Sequence, residues 1–146
     1  MTRITEWAAR RGPKNPGRDR GIEETTERVR QLMDGIESAV AVGDDLALTR
    51  YLAPPALGIL LAQTATERRA GRTWLPARAG LRWSTSNRSP AGPGGLWLRL
   101  RFEDRSEVRS PAESLSAAGL GHALEVELVT TSVPWRLRQA EEIFES

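Results

Sequence analysis

Few side chains in this sequence can do chemistry. Among 146 residues there is no cysteine and a single histidine, His122. That combination excludes disulfide frameworks, thiolate nucleophiles, zinc ribbons and His-rich metal centres, so neither a metal nor a cofactor is expected. A cofactor-independent isomerase, cyclase or dehydratase needs a carboxylate or histidine as general base, with a tyrosine or second acid to hold an oxyanion. The candidates of those types are Tyr51, Asp104 and His122. Each has a plainer alternative. His122 lies between Gly121 and Ala123 at a strand entrance, where an exposed loop histidine needs no function. Tyr51 shares an apolar stripe with Leu48 and Leu52 and reads as core with its hydroxyl at the rim. Asp104 follows Phe102 by two, which by strict alternation turns it inward, but Glu-Asp-Arg-Ser at 103–106 reads as a turn. Asp44 and Asp45 suit helix capping. No two of these residues can be placed together from sequence.

A second chemistry is surface recognition. Arg99, Arg101, Arg136 and Arg138 alternate away from the apolar positions of two strands, and Trp97 falls on that same side, a pattern able to stack and pair with phosphates or bases. Glu125 and Glu127 fall there too, so cross-strand Arg and Glu pairing on a solvated face is the better account. If the face is covered, Trp97 and Val129 make it a partner surface, with Arg99 and Arg101 beside them. Trp74, Trp83 and Trp135 read as core, with pocket lining as the alternative. The Gly-rich run at 90–95 is no phosphate loop, because it lacks the Gly-Lys-Ser/Thr ending and leads into a strand.

Charge does not favour nucleic acid. The chain carries 21 basic and 19 acidic groups, a formal net charge of +2. Residues 1–20 hold six positives (Arg3, Arg10, Arg11, Lys14, Arg18, Arg20) against Glu6 and Asp19, a net of +4, which leaves −2 on the remaining 126 residues. A mildly acidic body with a basic tail differs from a basic binding domain, so nucleic acid is expected only through the tail. One Lys among the 21 basic residues is the usage of a G- and C-rich genome, such as an actinobacterium's. No run approaches the roughly 18 apolar residues of a membrane span, and the charged start lacks a signal's apolar run, so a cytoplasmic location is expected.

The elements that must position these residues follow from periodicity. Residues 1–21 read as a basic flexible arm, since Arg-Gly-Pro-Lys-Asn-Pro-Gly at 11–17 interrupts regular structure, with Trp7 as a possible docking anchor. Residues 22–146 read as one domain. Val29, Leu32, Met33, Ile36 and Val40 mark an amphipathic helix to Val42, stopped by Gly43. A short second helix carries Leu46, Leu48, Tyr51 and Leu52, and Pro54 and Pro55 start a third that ends near Gly71. The period then changes to two. Strands are expected at Leu81–Trp83, Leu96–Phe102, around Val108, at Leu124–Leu128 and from Trp135 to Ile143, with 110–121 as a loop.

Three helices followed by antiparallel strands, with Leu-Trp-Leu-Arg-Leu-Arg-Phe-Glu-Asp-Arg-Ser at 96–106 and Val-Pro-Trp-Arg-Leu-Arg-Gln-Ala-Glu-Glu-Ile at 133–143, resembles the nuclear transport factor 2-like superfamily, and most its translocase and conjugation-scaffold branches. The resemblance implies an α+β cone, three N-terminal helices packed on a curved, mainly antiparallel sheet. It also implies a choice between a pocket enzyme and a non-catalytic scaffold. The chain departs from it in aromatic content, with two Phe and one Tyr to line a pocket. The expectation is an interaction module that self-associates or docks a protein partner through its sheet face. The alternative is a small-molecule binder or enzyme using the cone interior.

Overall fold

The computed structural model describes residues 16–90, 92–117 and 119–143. It is an α+β fold in which the helices precede the sheets, as the periodicity predicts. Helix α1 spans Pro16–Val42, α2 Asp45–Tyr51 and α3 Ala56–Arg69. The strands are β1 Thr73–Leu75, β2 Arg78–Thr85, β3 Gly95–Asp104, β4 Glu107–Arg109, β5 Ser114–Ser116, β6 Gly121–Val129 and β7 Arg136–Ile143.

Local chemistry explains the helix boundaries. At 27 residues α1 runs about 40 Å. Its exposed face is laced by Arg30, which bonds Glu27 at 2.6 Å and reaches Asp34 at 3.5 Å. Gly43, at a φ of 72°, takes the left-handed turn that ends it. Asp44 then caps α2 by accepting from the Ala47 amide at 3.0 Å. The helix begins at Pro16, not Ile22, so residues 16–21 belong to α1 and not to the arm. Proline suits a first helical turn because its missing N–H has no partner to lose there. The rest of the arm, Trp7 included, lies outside the described residues.

The strands form two antiparallel sheets in place of the single expected one. The large sheet has the order β2-β3-β6-β7 and the small one β1-β4-β5. Strand β4, around Val108, pairs with β1 and β5. Strand β5 falls inside the 110–121 segment read as loop, and β1 was not expected at all. The inner face of the large sheet receives α1. Val29 and Leu32 of the helix interlock with Leu98, Leu100, Val126 and Leu128, all at most 1% exposed. Met33, Ile36, Trp83 and Trp135 pack around them. A second cluster joins Ala39, Val40, Leu48 and Leu52, with Trp74 packed against it. Trp83 also donates from its indole N–H to Thr26 Oγ1 at 2.8 Å, fastening β2 to α1. These contacts pack α1 onto the inner face of the large sheet.

Candidate functional site

Strand alternation sends two sets of side chains to opposite faces of the large sheet. The apolar set faces α1. The outer set runs in cross-strand rows fixed by the register: Trp97 opposite Glu127 and Gln139, Arg99 opposite Glu125 and Glu141, and Arg82 opposite Arg101, Ala123 and Ile143. These rows meet different fates.

The first two rows are covered at β3 and β6 and open out at Glu141. Trp97 is 7% exposed, Glu125 6% and Glu127 0%. The guanidinium of Arg88, on the 86–94 connection, lies 4.7 Å from the centroid of the Trp97 ring, and Arg88 also pairs with Glu141. Thr130 holds the end of the connection by donating its amide and hydroxyl to the Gly94 carbonyl at 2.8 and 2.9 Å. Trp97 therefore offers no open ring to a partner, which corrects the expectation that it leads an exposed docking surface. Val129 is half-buried opposite Gly95. The Arg and Glu pairing is as expected: Arg99 donates to Glu125 Oε1 at 2.8 Å. Glu127 accepts from Gln139 Nε2 at 2.8 Å, with Arg138 Nη1 3.6 Å away. Arg136 instead donates to the Leu52 carbonyl at 3.1 Å.

The third row is open. Around Arg82, Arg101, Ala123 and Ile143 lies a hollow of about 740 Å³, open on one side. Glu103 and the glycines at 80, 119 and 121 extend it, and Phe102, His122 and Glu142 complete the lining at the strand ends. A Cβ added at Gly121 would meet nothing within 4 Å, so this position faces open space. A smaller groove of about 220 Å³ lies between the C-terminal ends of α1 and α3, beside exposed Val42 and lined in part by Trp74. Trp83 and Trp135 pack on the core and are not among the lining of the hollow.

The three catalytic candidates divide. Tyr51 packs against α1, where its ring occupies the space of the missing Gly35 side chain. Asp104 and His122 do come together: His122 Nε2 is 3.7 Å from Asp104 Oδ2, and Nδ1 is 2.9 Å from Glu142 Oε1. The imidazole stacks on Phe102, with centroids 5.8 Å apart. Sequence reasoning missed Glu142, whose placement depends on the β6–β7 register. Asp104 also keeps its turn role, accepting from the Ser106 amide at 2.8 Å. Nearby, Arg78 donates to Glu37 at 2.7 Å and Asp34 at 2.9 Å. Among the described residues no group of His, Asp and Glu is arranged to hold a metal.

Two carboxyls titrate in opposite senses. Burial pushes Glu37 above the usual carboxylate range, outweighing the attraction of Arg78. Hydrogen bonds from Ser86 and Arg99 hold Glu125 below it. A carboxyl lowered by folding adds stability at neutral pH that is lost on acidification, whereas a raised one favours the folded state at low pH and loses that contribution as pH rises. Glu125→Gln is therefore expected to cost about 1–2 kcal/mol at pH 7. The cost fades as pH falls through the carboxylate range, while Glu37→Gln is neutral or stabilising at pH 7. Urea unfolding of both variants between pH 3 and 7 checks the pair.

No family model matches the chain, and no curated protein matches it. Among solved structures the fold is similar to the crystal structure of the intermembrane space region of the chloroplast protein ARC6, with a TM-score of 0.61 over 80% of this chain and 95% of that one. At 9% identity this likeness shows a shared fold and nothing of function. No helix of the described residues is long and apolar enough to cross a membrane.

Proposed function

We propose that the chain is a non-catalytic interaction module that docks a protein partner on the open part of the outer face of its large sheet. The observation that carries this reading is the contrast between the two faces. The inner face is filled to at most 1% exposure by Val29, Leu32, Leu98, Leu100, Val126 and Leu128, which leaves a base and an oxyanion holder no chamber there. The outer face keeps a 740 Å³ hollow over Arg82, Arg101, Ala123 and Ile143. Membership of the nuclear transport factor 2-like superfamily is part of the same proposal, supported by the order of helices before an antiparallel sheet.

Native mass spectrometry of the protein gently purified from its own host tests the reading, comparing the wild type with Gly121→Trp. Gly121 is not held at positive φ, so the substitution fills the hollow without backbone strain. A protein-bound or self-associated species in the wild type that is lost in the variant is the expected result. A ligand-free monomer in both, or a complex indifferent to the substitution, contradicts it.

One observation favours a second reading, a small-molecule binder or enzyme: Asp104, His122 and Glu142 lie together at the rim of the hollow. It is the weaker reading because both imidazole nitrogens face carboxylates. A stoichiometric small molecule in the same mass spectra is its signature.

A further inference from the structure

We infer that the outer edge of β7 takes an extended basic segment of the partner as an added strand, paired through its backbone and read by Glu141 and Glu142. The inference deepens the docking reading above and rests on its claim that a partner docks here, since Glu142 and Ile143 of that edge also line the hollow.

The backbone argument comes from the register. The Thr130 amide bonds the Gly94 carbonyl, so within β6 the even-numbered residues direct their amides and carbonyls to β3 and the odd-numbered ones to β7. Gln139, Glu141 and Ile143 stand opposite those odd residues, which turns the amide and carbonyl of Ala140 and Glu142 outward from the sheet. Strand β7 is the last in the order β2-β3-β6-β7, and Ala140 and Glu142 are exposed. Pairing on this edge begins and then stops. Leu52 bridges Leu137 in parallel and the Ala53 amide bonds the Leu137 carbonyl at 2.8 Å, after which Pro54 and Pro55 have no N–H to continue it. Beyond Leu137, no backbone bond from the described residues reaches the outward groups of Ala140 and Glu142. Such an edge is a template for another strand. From 138 to 143 it runs about 20 Å, room for a segment of about six residues.

The charge argument names the occupant. Glu141 and Glu142 are consecutive, so they lean to opposite faces of the strand. Their side chains are 57% and 48% exposed, Glu141 pairing with Arg88 and Glu142 with His122. A carboxylate accepts several hydrogen bonds, so each keeps acceptor capacity toward a neighbour laid along β7. Consecutive Arg or Lys residues in the added strand meet one carboxylate on each face and gain charge-assisted bonds. The same acids argue against a second copy pairing edge to edge about a two-fold axis. Within 138–143 that axis falls at 140–141 and gathers the Glu141 and Glu142 side chains of both copies around it, where like charges repel.

The test uses the full chain and a fluorescein-labelled Gly-Thr-Val-Arg-Lys-Val-Thr-Gly peptide, read by anisotropy. One control peptide is N-methylated at Arg and Lys, consecutive amides, so that neither of its edges can pair while its charge is kept. A second carries Glu in place of Arg and Lys. The basic peptide is expected to bind, more weakly as salt rises, with both controls at least about tenfold weaker. Ala140→Pro, which removes an outward amide where an edge strand tolerates proline, is expected to lose as much. Circular dichroism reports whether that variant folds, and the N-methylated peptide decides the point if it does not. Equal binding of the N-methylated peptide, or no binding of the basic one, overturns the inference. A peptide of residues 1–15 that displaces the probe as strongly as unlabelled probe also overturns it, in favour of the chain's own arm, as does a wild-type dimer that Ala140→Pro dissolves, in favour of a second copy. A native complex lost in Gly121→Trp but kept in Ala140→Pro removes the inference and leaves the docking reading standing. Loss in Ala140→Pro alone supports the edge and moves the docking from the hollow to it, and a complex indifferent to both variants removes the two together.

Discussion

Leu128→Ala is expected to lower the stability of the fold by about 2–5 kcal/mol, a large part of the 5–15 kcal/mol that holds a domain of this size together. Leu128 is 0% exposed at the centre of β6, in the cluster with Val29 and Leu32 from α1 and Leu98 and Leu100 from β3. Truncation removes apolar contact and leaves a cavity between helix and sheet that α1, pinned along its length, cannot collapse to fill. Urea unfolding followed by tryptophan fluorescence measures it. The result bears on function as well as stability. A loss below about 1 kcal/mol would mean a loosely packed helix–sheet interface, and a loose interface would restore the interior as a binding chamber.

The second large effect has a sign that helix propensity gets wrong. Gly35 sits within α1, where replacing glycine by alanine in an exposed helix gains about 1 kcal/mol. Here the added Cβ would overlap the ring of Tyr51, which lies against the helix backbone at that point. Gly35→Ala is therefore expected to destabilise the protein by about 1–3 kcal/mol, the cost typical of overpacking. In a Tyr51→Ala background the same change should become neutral or favourable, and the double-mutant cycle should show strong coupling. An additive cycle would contradict the contact. The contact gives the ring of Tyr51, a residue that sequence offers as an oxyanion holder or as core, a packing role against the helix.

Much of the fold is legible in the sequence because its punctuation is local. Gly43 ends α1 and Asp44 caps α2, each by a mechanism that needs no tertiary partner. The alternation of Leu96, Leu98, Leu100 and Phe102 against Trp97, Arg99 and Arg101 marks β3 and assigns its faces correctly. The start of α1 at Pro16 is hidden within Arg-Gly-Pro-Lys-Asn-Pro-Gly at 11–17, a run whose composition reads as an interruption. Strands β1 and β5 have three residues each, too few for a period of two to register. Their existence depends on β4 between them, which is a tertiary fact.

The site is legible only in pieces. Which arginines share a face follows from alternation, but which row stays open depends on the path of the 86–94 connection, and a loop's path leaves no periodic trace. Trp97 and Glu127 are buried for that reason, although an outer-face tryptophan and glutamate read naturally as surface. The meeting of Asp104, His122 and Glu142 likewise needs three strands in register, including a bulge between β6 and β7 that shifts Glu142 relative to a simple count. Residue type pointed to two of the three. Their neighbourhood came from the sheet.

The claim that the open row of the sheet is where a partner docks is tested most directly by hydrogen–deuterium exchange on the complex isolated from the host, compared with the chain alone. Protection on binding is expected to concentrate at 80–82, 101–103, 119–123 and 142–143, the segments around the hollow. Protection confined to the groove at 40–43 and 72–74, or to the exposed face of α1, would contradict it.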